Sequence, residues 1–252
     1  METLAQRNKQ TPMISTGLDY YKPTMSQVQF LKHPDADVSF TLKNRGKNRL
    51  ADHVDVDELS TRLGEFALGW QDVEIEYLAT HERRDGQPLF DSGFLDYLRE
   101  NQLPPVDVRV DNETDDISVE TTGKWPLVTF WETVVMSEIN ELYFEDYIQK
   151  NNIDKEELLA EGNRRLTEKI EILKSRPDIK FAEFGTRRRF SREWQRHVVE
   201  RLKNECPDNL IGTSNVALAQ EFDLMPIGTY AHEMPMVYGA LAQNEDYSPL
   251  AG

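Results

Sequence analysis

Cysteine is nearly absent: Cys206 is the single one in 252 residues. It has no partner for an internal disulfide. That excludes a disulfide framework and points to a reducing, cytoplasmic setting. The chain also has no apolar run of about 18 residues, so no membrane span is expected. Residues 1–10 have no apolar core and are not expected to act as a secretory signal. Basic charge is scarce as well: 29 Lys and Arg stand against 45 Asp and Glu, a net charge of −16. That argues against general nucleic-acid binding, which needs a broad basic surface. No His, Cys and carboxylate spacing suggests a zinc site, and no metal-ligand set is expected. The 38% hydrophobic and 29% charged residues fit a globular protein with room for one large domain or two small ones.

Against this acidic background the sign reverses locally. Residues 184–203 carry seven Lys or Arg and only two Glu. For Arg192, Arg196 and Arg201 a solvated helix face explains the charge. The contiguous Arg187, Arg188 and Arg189 lie between an apolar run and a helix start, where packing does not require them. A planar fork of donors is suited to a carboxylate or phosphate, so a small anionic ligand is expected there.

The first half of the chain reads as mixed helices and strands. Pro23 suits a helix start near Thr24–His33. Val38–Leu42 alternates like a half-buried strand, and helical patterns follow near 56–68 and 72–82. Asp91 or Ser92 can cap the helix that carries Phe94, Leu95 and Leu98. Val106–Val110 and Ile117–Thr121 flank an acidic turn and predict an antiparallel pair. A helix is expected over Thr133–Lys150, and Asp154 with Glu157 forms a capping box for the next. Beyond Pro177 the style changes. Strands at Ile179–Phe184, Leu210–Thr213 and Met225–Gly228 alternate with helices at Ser191–Lys203 and Asn215–Phe222, the pattern of parallel β/α units. Three such strands are too few to close an eight-stranded barrel.

In parallel β/α architecture ligands bind where strands end. Three polar clusters fall there: Gly185-Thr186-Arg187, Gly212-Thr213-Ser214-Asn215, and Gly228-Thr229 followed by His232 and Glu233. Glycine lets backbone approach a ligand, and hydroxyls with helix N-terminal amides suit an anion; ordinary strand-end turns would also place Gly and Thr here. Of the five histidines only His232 lies in such a loop. It reads either as a nucleophile or acid–base group, with Glu233 orienting its ring, or as a hydrogen-bonded structural residue. Asp19-Tyr20-Tyr21-Lys22-Pro23 can be read as the aromatic anchor of a helix start.

These residues together resemble the nicotinate phosphoribosyltransferase family. The similarity runs from Asp19-x-Tyr21-Lys22 through Phe94-Leu95-Asp96-Tyr97-Leu98, Trp125-Pro126, Trp131-Glu132 and Ser137-Glu138. It is most specific in Phe184-Gly185-Thr186-Arg187-Arg188-Arg189-Phe190-Ser191, Gly212-Thr213-Ser214-Asn215 and Gly228-Thr229-x-Ala231-His232-Glu233. The resemblance implies an α/β fold of the type II phosphoribosyltransferase kind. Residues 1–125 would form an α+β domain, and 126–252 the first units of an irregular, incomplete β/α barrel. It implies transfer of phosphoribose from phosphoribosyl pyrophosphate to nicotinate in NAD salvage, coupled to ATP through a phosphohistidine, with magnesium, in a homodimer. On this resemblance Tyr21, offered across the dimer, and Phe184 would sandwich the nicotinate ring. Arg187, Arg189, Thr213 and Ser214 would bind substrate, and His232 with Glu233 would be catalytic. Full members of the family carry later acidic and glycine-rich motifs that are missing here, so a clipped record, a split gene or a degenerate copy is expected, and the tail at 244–249 favours a real break. The alternatives are a non-catalytic remnant acting as a binding or assembly module, and a nicotinamide-specific enzyme. The run of arginines favours a carboxylate ligand over an amide.

Overall fold

The computed structural model describes residues 12–244; the polar start and the tail considered above lie outside the described residues. The first helix, α1 (Tyr21–Lys32), begins three residues earlier than the proline suggested. Pro23 sits inside its first turn, where a missing N–H costs nothing. Strand β1 (Asp37–Leu42) follows, then α2 (Val56–Phe66), α3 (Asp72–Ala79) and α4 (Ser92–Glu100). Asp55 and Asp91 cap α2 and α4, each carboxylate accepting the amide N–H three residues on. The capping box predicted at Asp154 is present in its forward half, with Asp154 accepting the Glu156 and Glu157 amides.

Strands β2 (Val106–Asp111) and β3 (Asp116–Lys124) pair antiparallel, as the alternation predicted. The acidic turn is held by Asp111, whose carboxylate accepts the amides of Glu113 at 2.8 Å and Thr114 at 2.9 Å. β1 joins the other edge, giving the order β1-β3-β2 with Phe40 opposite Thr121. The short α5 (Trp125–Val128) leads into the long α6 (Trp131–Lys150). The main core lies between this helix, the inner sheet face (Ile117, Val119) and α2 to α4, with Trp131, Phe130, Phe94 and Phe66 among its fully buried side chains. Each large aromatic buried this way removes a large apolar area from water, alongside the more numerous Leu, Ile and Val of the same core.

Helix α7 (Lys155–Lys174) opens the second half, followed by β4 (Phe181–Glu183), α8 (Arg192–Glu205), β5 (Leu210–Thr213) and α9 (Val216–Glu221). β4 and β5 are parallel, with Glu183 beside Thr213. A second, smaller core gathers Leu166, Ile170, Leu202, Cys206 and Leu210, so the lone cysteine is a packing residue. The third strand predicted at Met225–Gly228 is a correction. It is reduced to one parallel bridge between Thr213 and Pro226. Proline cannot donate to a ladder, which limits pairing there. The close approach nonetheless demands glycine at 212: a Cβ on that residue would run into the Met225 carbonyl oxygen. Helix α10 (Glu233–Asn244) ends the described chain. Among the described residues no helix is long and apolar enough to cross a membrane.

Candidate active site

The loop after β4 is built on Glu183. Its carboxylate accepts the Thr213 hydroxyl at 2.6 Å, the Gly185 amide at 2.5 Å and the Gln195 side-chain amide at 3.2 Å. Burial pushes the Glu183 carboxyl above its usual range against these hydrogen bonds. Gln195 also reaches the Thr186 hydroxyl, so the first two strand-end loops share one buried network. A short 3₁₀ turn, Thr186–Arg188, then presents the arginines.

The three arginines part company. Arg187 is 40% exposed at its side chain; it donates to Glu132 at 3.0 Å and lies 3.4 Å from Asp19. A guanidinium has five N–H donors, so several remain for a ligand. Arg188 is exposed. Arg189 is 2% exposed and clamped by Glu141 at 2.6 Å, Glu138 at 3.5 Å and the Thr16 carbonyl. The expectation that Arg189 binds substrate is therefore corrected: its donors face α6 and the N-terminal segment, and it serves as a buried brace.

The second loop turns its hydroxyls inward. Ser214 donates to Asp19 at 2.7 Å, and its carbonyl accepts the Tyr20 amide at 2.6 Å. Thr213 is committed to Glu183 and also accepts the Asn215 amide at 3.1 Å. Both residues, expected to bind substrate, reach a ligand only through what they hold in place. Asp19 also lies close to the Tyr21 phenol. Burial, then the nearby Asp19 and Glu132 carboxylates, push that phenol well above its ordinary value, with Arg187 opposing, so Tyr21 stays neutral. Its ring packs within its own chain, beside Met25 and Ala231, and Gly228 lies close against the Tyr21 backbone. Tyr21, 2% exposed, and Arg187 lie near one another within this chain. Phe184 is 46% exposed at the loop's start.

The third loop is tied down by Glu233. Lys22, with 0% side-chain exposure, bridges Glu132 at 2.5 Å and Glu233 at 2.7 Å. Glu233 also accepts from Gln29 at 3.1 Å, Trp125 at 3.4 Å and the Thr129 hydroxyl. The expectation that Glu233 orients the His232 ring is corrected, since its oxygens are taken up by these donors. Burial pushes the Glu132 carboxyl up, but Lys22 and Arg187 outweigh it and hold the group below the ordinary range. His232 itself is exposed and helps line a cavity of about 650 Å³ with Phe40, Lys43, Arg45, Trp131 and Glu132.

Sequence reasoning missed Glu183, Glu132 as a ligand of Lys22, and the pair Lys43 and Arg45. An acid ending an apolar strand, and another directly after the aromatic run Trp125–Trp131, were usable signals. Lys43 and Arg45 carry no distinguishing sequence signal.

Comparison with known proteins now bears on this geometry. The model described as the nicotinate phosphoribosyltransferase N-terminal domain matches residues 17–140, and that of the nicotinate phosphoribosyltransferase family matches 179–250. The chain belongs to the nicotinate phosphoribosyltransferase family. Among solved structures, nicotinate phosphoribosyltransferase from Vibrio cholerae is similar at 30% identity and TM-score 0.78, over 94% of this chain and 56% of that one. The enzyme from Porphyromonas gingivalis is similar at 27% identity and TM-score 0.72, over 91% of this chain and 56% of that one. The chain thus spans little more than half the length of these relatives. The type II phosphoribosyltransferase fold that the resemblance implied is present over nearly the whole chain.

Proposed function

We propose that the chain carries the nicotinate side of a phosphoribosyl-transfer site that forms nicotinate mononucleotide from nicotinate and phosphoribosyl pyrophosphate in NAD salvage. The observation that carries this is Arg187, a half-exposed guanidinium set by Asp19 and Glu132 beside the Tyr21 hydroxyl. A flat ring with a carboxylate needs an aromatic surface and a charge-assisted pair of donors. Phe184 supplies exposed aromatic surface, and Arg187 supplies the donors. The phosphoribosyl step develops positive charge at the sugar, so the protein mainly positions the reactants and stabilises charge.

His232 is the proposed phosphoryl acceptor from ATP. A neutral ring nitrogen would attack the γ-phosphorus, the N–P bond forming as the bond to the bridging oxygen breaks and ADP leaves. Lys43 and Arg45, which line the same cavity, would offset the phosphate charge. Among the described residues no three His, Cys, Asp or Glu side chains come together to hold a metal ion, so no step is assigned to magnesium. The homodimer belongs to this reading, but it is not needed to bring Tyr21 to Arg187. A non-catalytic assembly role is the second reading. It is favoured by the exposed apolar side chains Met225 and Tyr230 near the third loop, and Met236 on α10.

The test is calorimetric competition between nicotinate and nicotinamide, with product formation from nicotinate, phosphoribosyl pyrophosphate and ATP followed in parallel. Nicotinate should bind more tightly and be turned over. Equal binding of the amide would remove the carboxylate role of Arg187, and folded protein without turnover would favour the assembly reading.

A further inference from the structure

The two residues flanking His232 are held, and His232 is not. Ala231 is buried, with its amide on the Met25 sulfur at 3.2 Å. Glu233, the first residue of α10, has its carboxylate seated among Lys22, Gln29, Trp125 and Thr129, at 10% side-chain exposure. Among the described residues the His232 ring has no hydrogen-bond partner, and it stands exposed at the cavity. Consecutive Cα atoms are fixed about 3.8 Å apart, so anchoring the outer two residues of Ala231-His232-Glu233 determines where the middle one projects.

Lys22 makes this anchor part of the site. A fully buried ammonium must be paired, and its two partners are Glu132, on the cavity wall, and Glu233, next to His232. One cation thus fixes the spacing between the wall of the cavity and the histidine facing it.

We propose that Glu233 is a positioning residue for His232, acting through Lys22 and the backbone rather than through the imidazole. Its role is to hold the ring at the cavity that Lys43 and Arg45 line. The proposal rests on the reading of His232 as phosphoryl acceptor. It predicts that the chemistry of the ATP-coupled step suffers while nicotinate binding, which uses Arg187 and Phe184, does not.

Amide hydrogen exchange over residues 229–238 and steady-state turnover, measured on the same preparations of wild type, Glu233→Ala and Glu233→Gln, test it. In Glu233→Ala exchange at His232 and its neighbours should rise about tenfold, the order expected for losing one charge-assisted anchor. The kcat should fall by a similar factor, with KM for nicotinate unchanged. Glu233→Gln keeps an acceptor for Thr129 and should recover part of both. Unchanged local exchange would overturn the proposal, as would a kcat loss matched by an equal rise in KM. Should Glu233→Ala fail to fold, Thr129→Val removes one donor and leaves Lys22 paired; it should show the same local exchange at smaller amplitude, and no change there also overturns the proposal. A wild-type chain that shows the exchange pattern across its variants but no turnover would refute the phosphoryl-acceptor reading and leave the placement by Glu233 standing.

Discussion

Arg187 and Arg189 are two residues apart and sit in opposite kinds of environment. Around Arg189 the charges are closed in: Glu138 and Glu141 are nearly inaccessible, and Arg192 adds a second cation to both. Around Arg187 the cluster is open on one side, with Lys22 buried beneath it and exposed guanidinium surface left over. The first arrangement can only brace the fold. The second can exchange a protein carboxylate for one on a ligand. Alternation along a short loop is enough to produce both, because successive side chains leave the backbone in different directions.

The largest effect should therefore come from the closed cluster. Removing Arg189 by substitution to alanine leaves two buried carboxylates with less than their full complement of cations. That should cost about 3–5 kcal/mol in urea unfolding. A loss below about 1 kcal/mol would rank Arg189 with surface ion pairs and erase the contrast.

Arg187→Ala should behave in reverse. The guanidinium itself is 40% exposed, and Asp19 and Glu132 keep Ser214 and Lys22 as partners, so stability should change by no more than about 1 kcal/mol. Nicotinate affinity should fall about tenfold to a hundredfold, the range for losing a hydrogen bond to a charged group. A stability loss as large as that of Arg189→Ala, with binding intact, would reverse the assignment of the two arginines.

This contrast also marks how far the sequence could be read. The elements came through well because their signals are local: alternation in Val106–Val110, the aspartates that cap α2 and α4, and the Ser191 cap of α8, whose side chain accepts the Trp194 amide. Gly212 and Thr213 were found as strand-end residues, but their reason is mostly internal, since the glycine admits the Met225 carbonyl and the threonine serves Glu183. What the sequence could not show was which arginine of three consecutive ones turns inward. That depends on where α6 places Glu132, Glu138 and Glu141, which are about 50 residues away in the chain and nearly one or two helical turns apart. Nor could it show that Glu233 would plug into α1, a contact across 211 residues. The short Met225–Gly228 segment had strand composition, and Pro226 limited it to one bridge.

The smallest predicted effect concerns pH, and the two clusters should differ in sign. Glu132 has a folded pKa below the ordinary glutamate value of 4.5, because Lys22 and Arg187 outweigh its burial. A depressed carboxyl contributes stability that is present above its unfolded value and is lost as pH falls through the folded one. Glu141 is shifted the other way: burial raises it, and Glu138 adds to the rise against the pull of Arg189 and Arg192. Its contribution is present below the ordinary value of 4.5 and is lost as pH rises through the folded pKa. Tm measured between roughly pH 3 and pH 8 separates the two. Glu132→Gln should flatten the acid limb, below 4.5. Glu141→Gln should leave that limb in place and flatten the decline above it. The experiment reads slopes, so the overall loss of stability from either substitution does not interfere. If both variants flatten the same limb, the clusters titrate as one network, and the division into a closed brace and an open receptor fails.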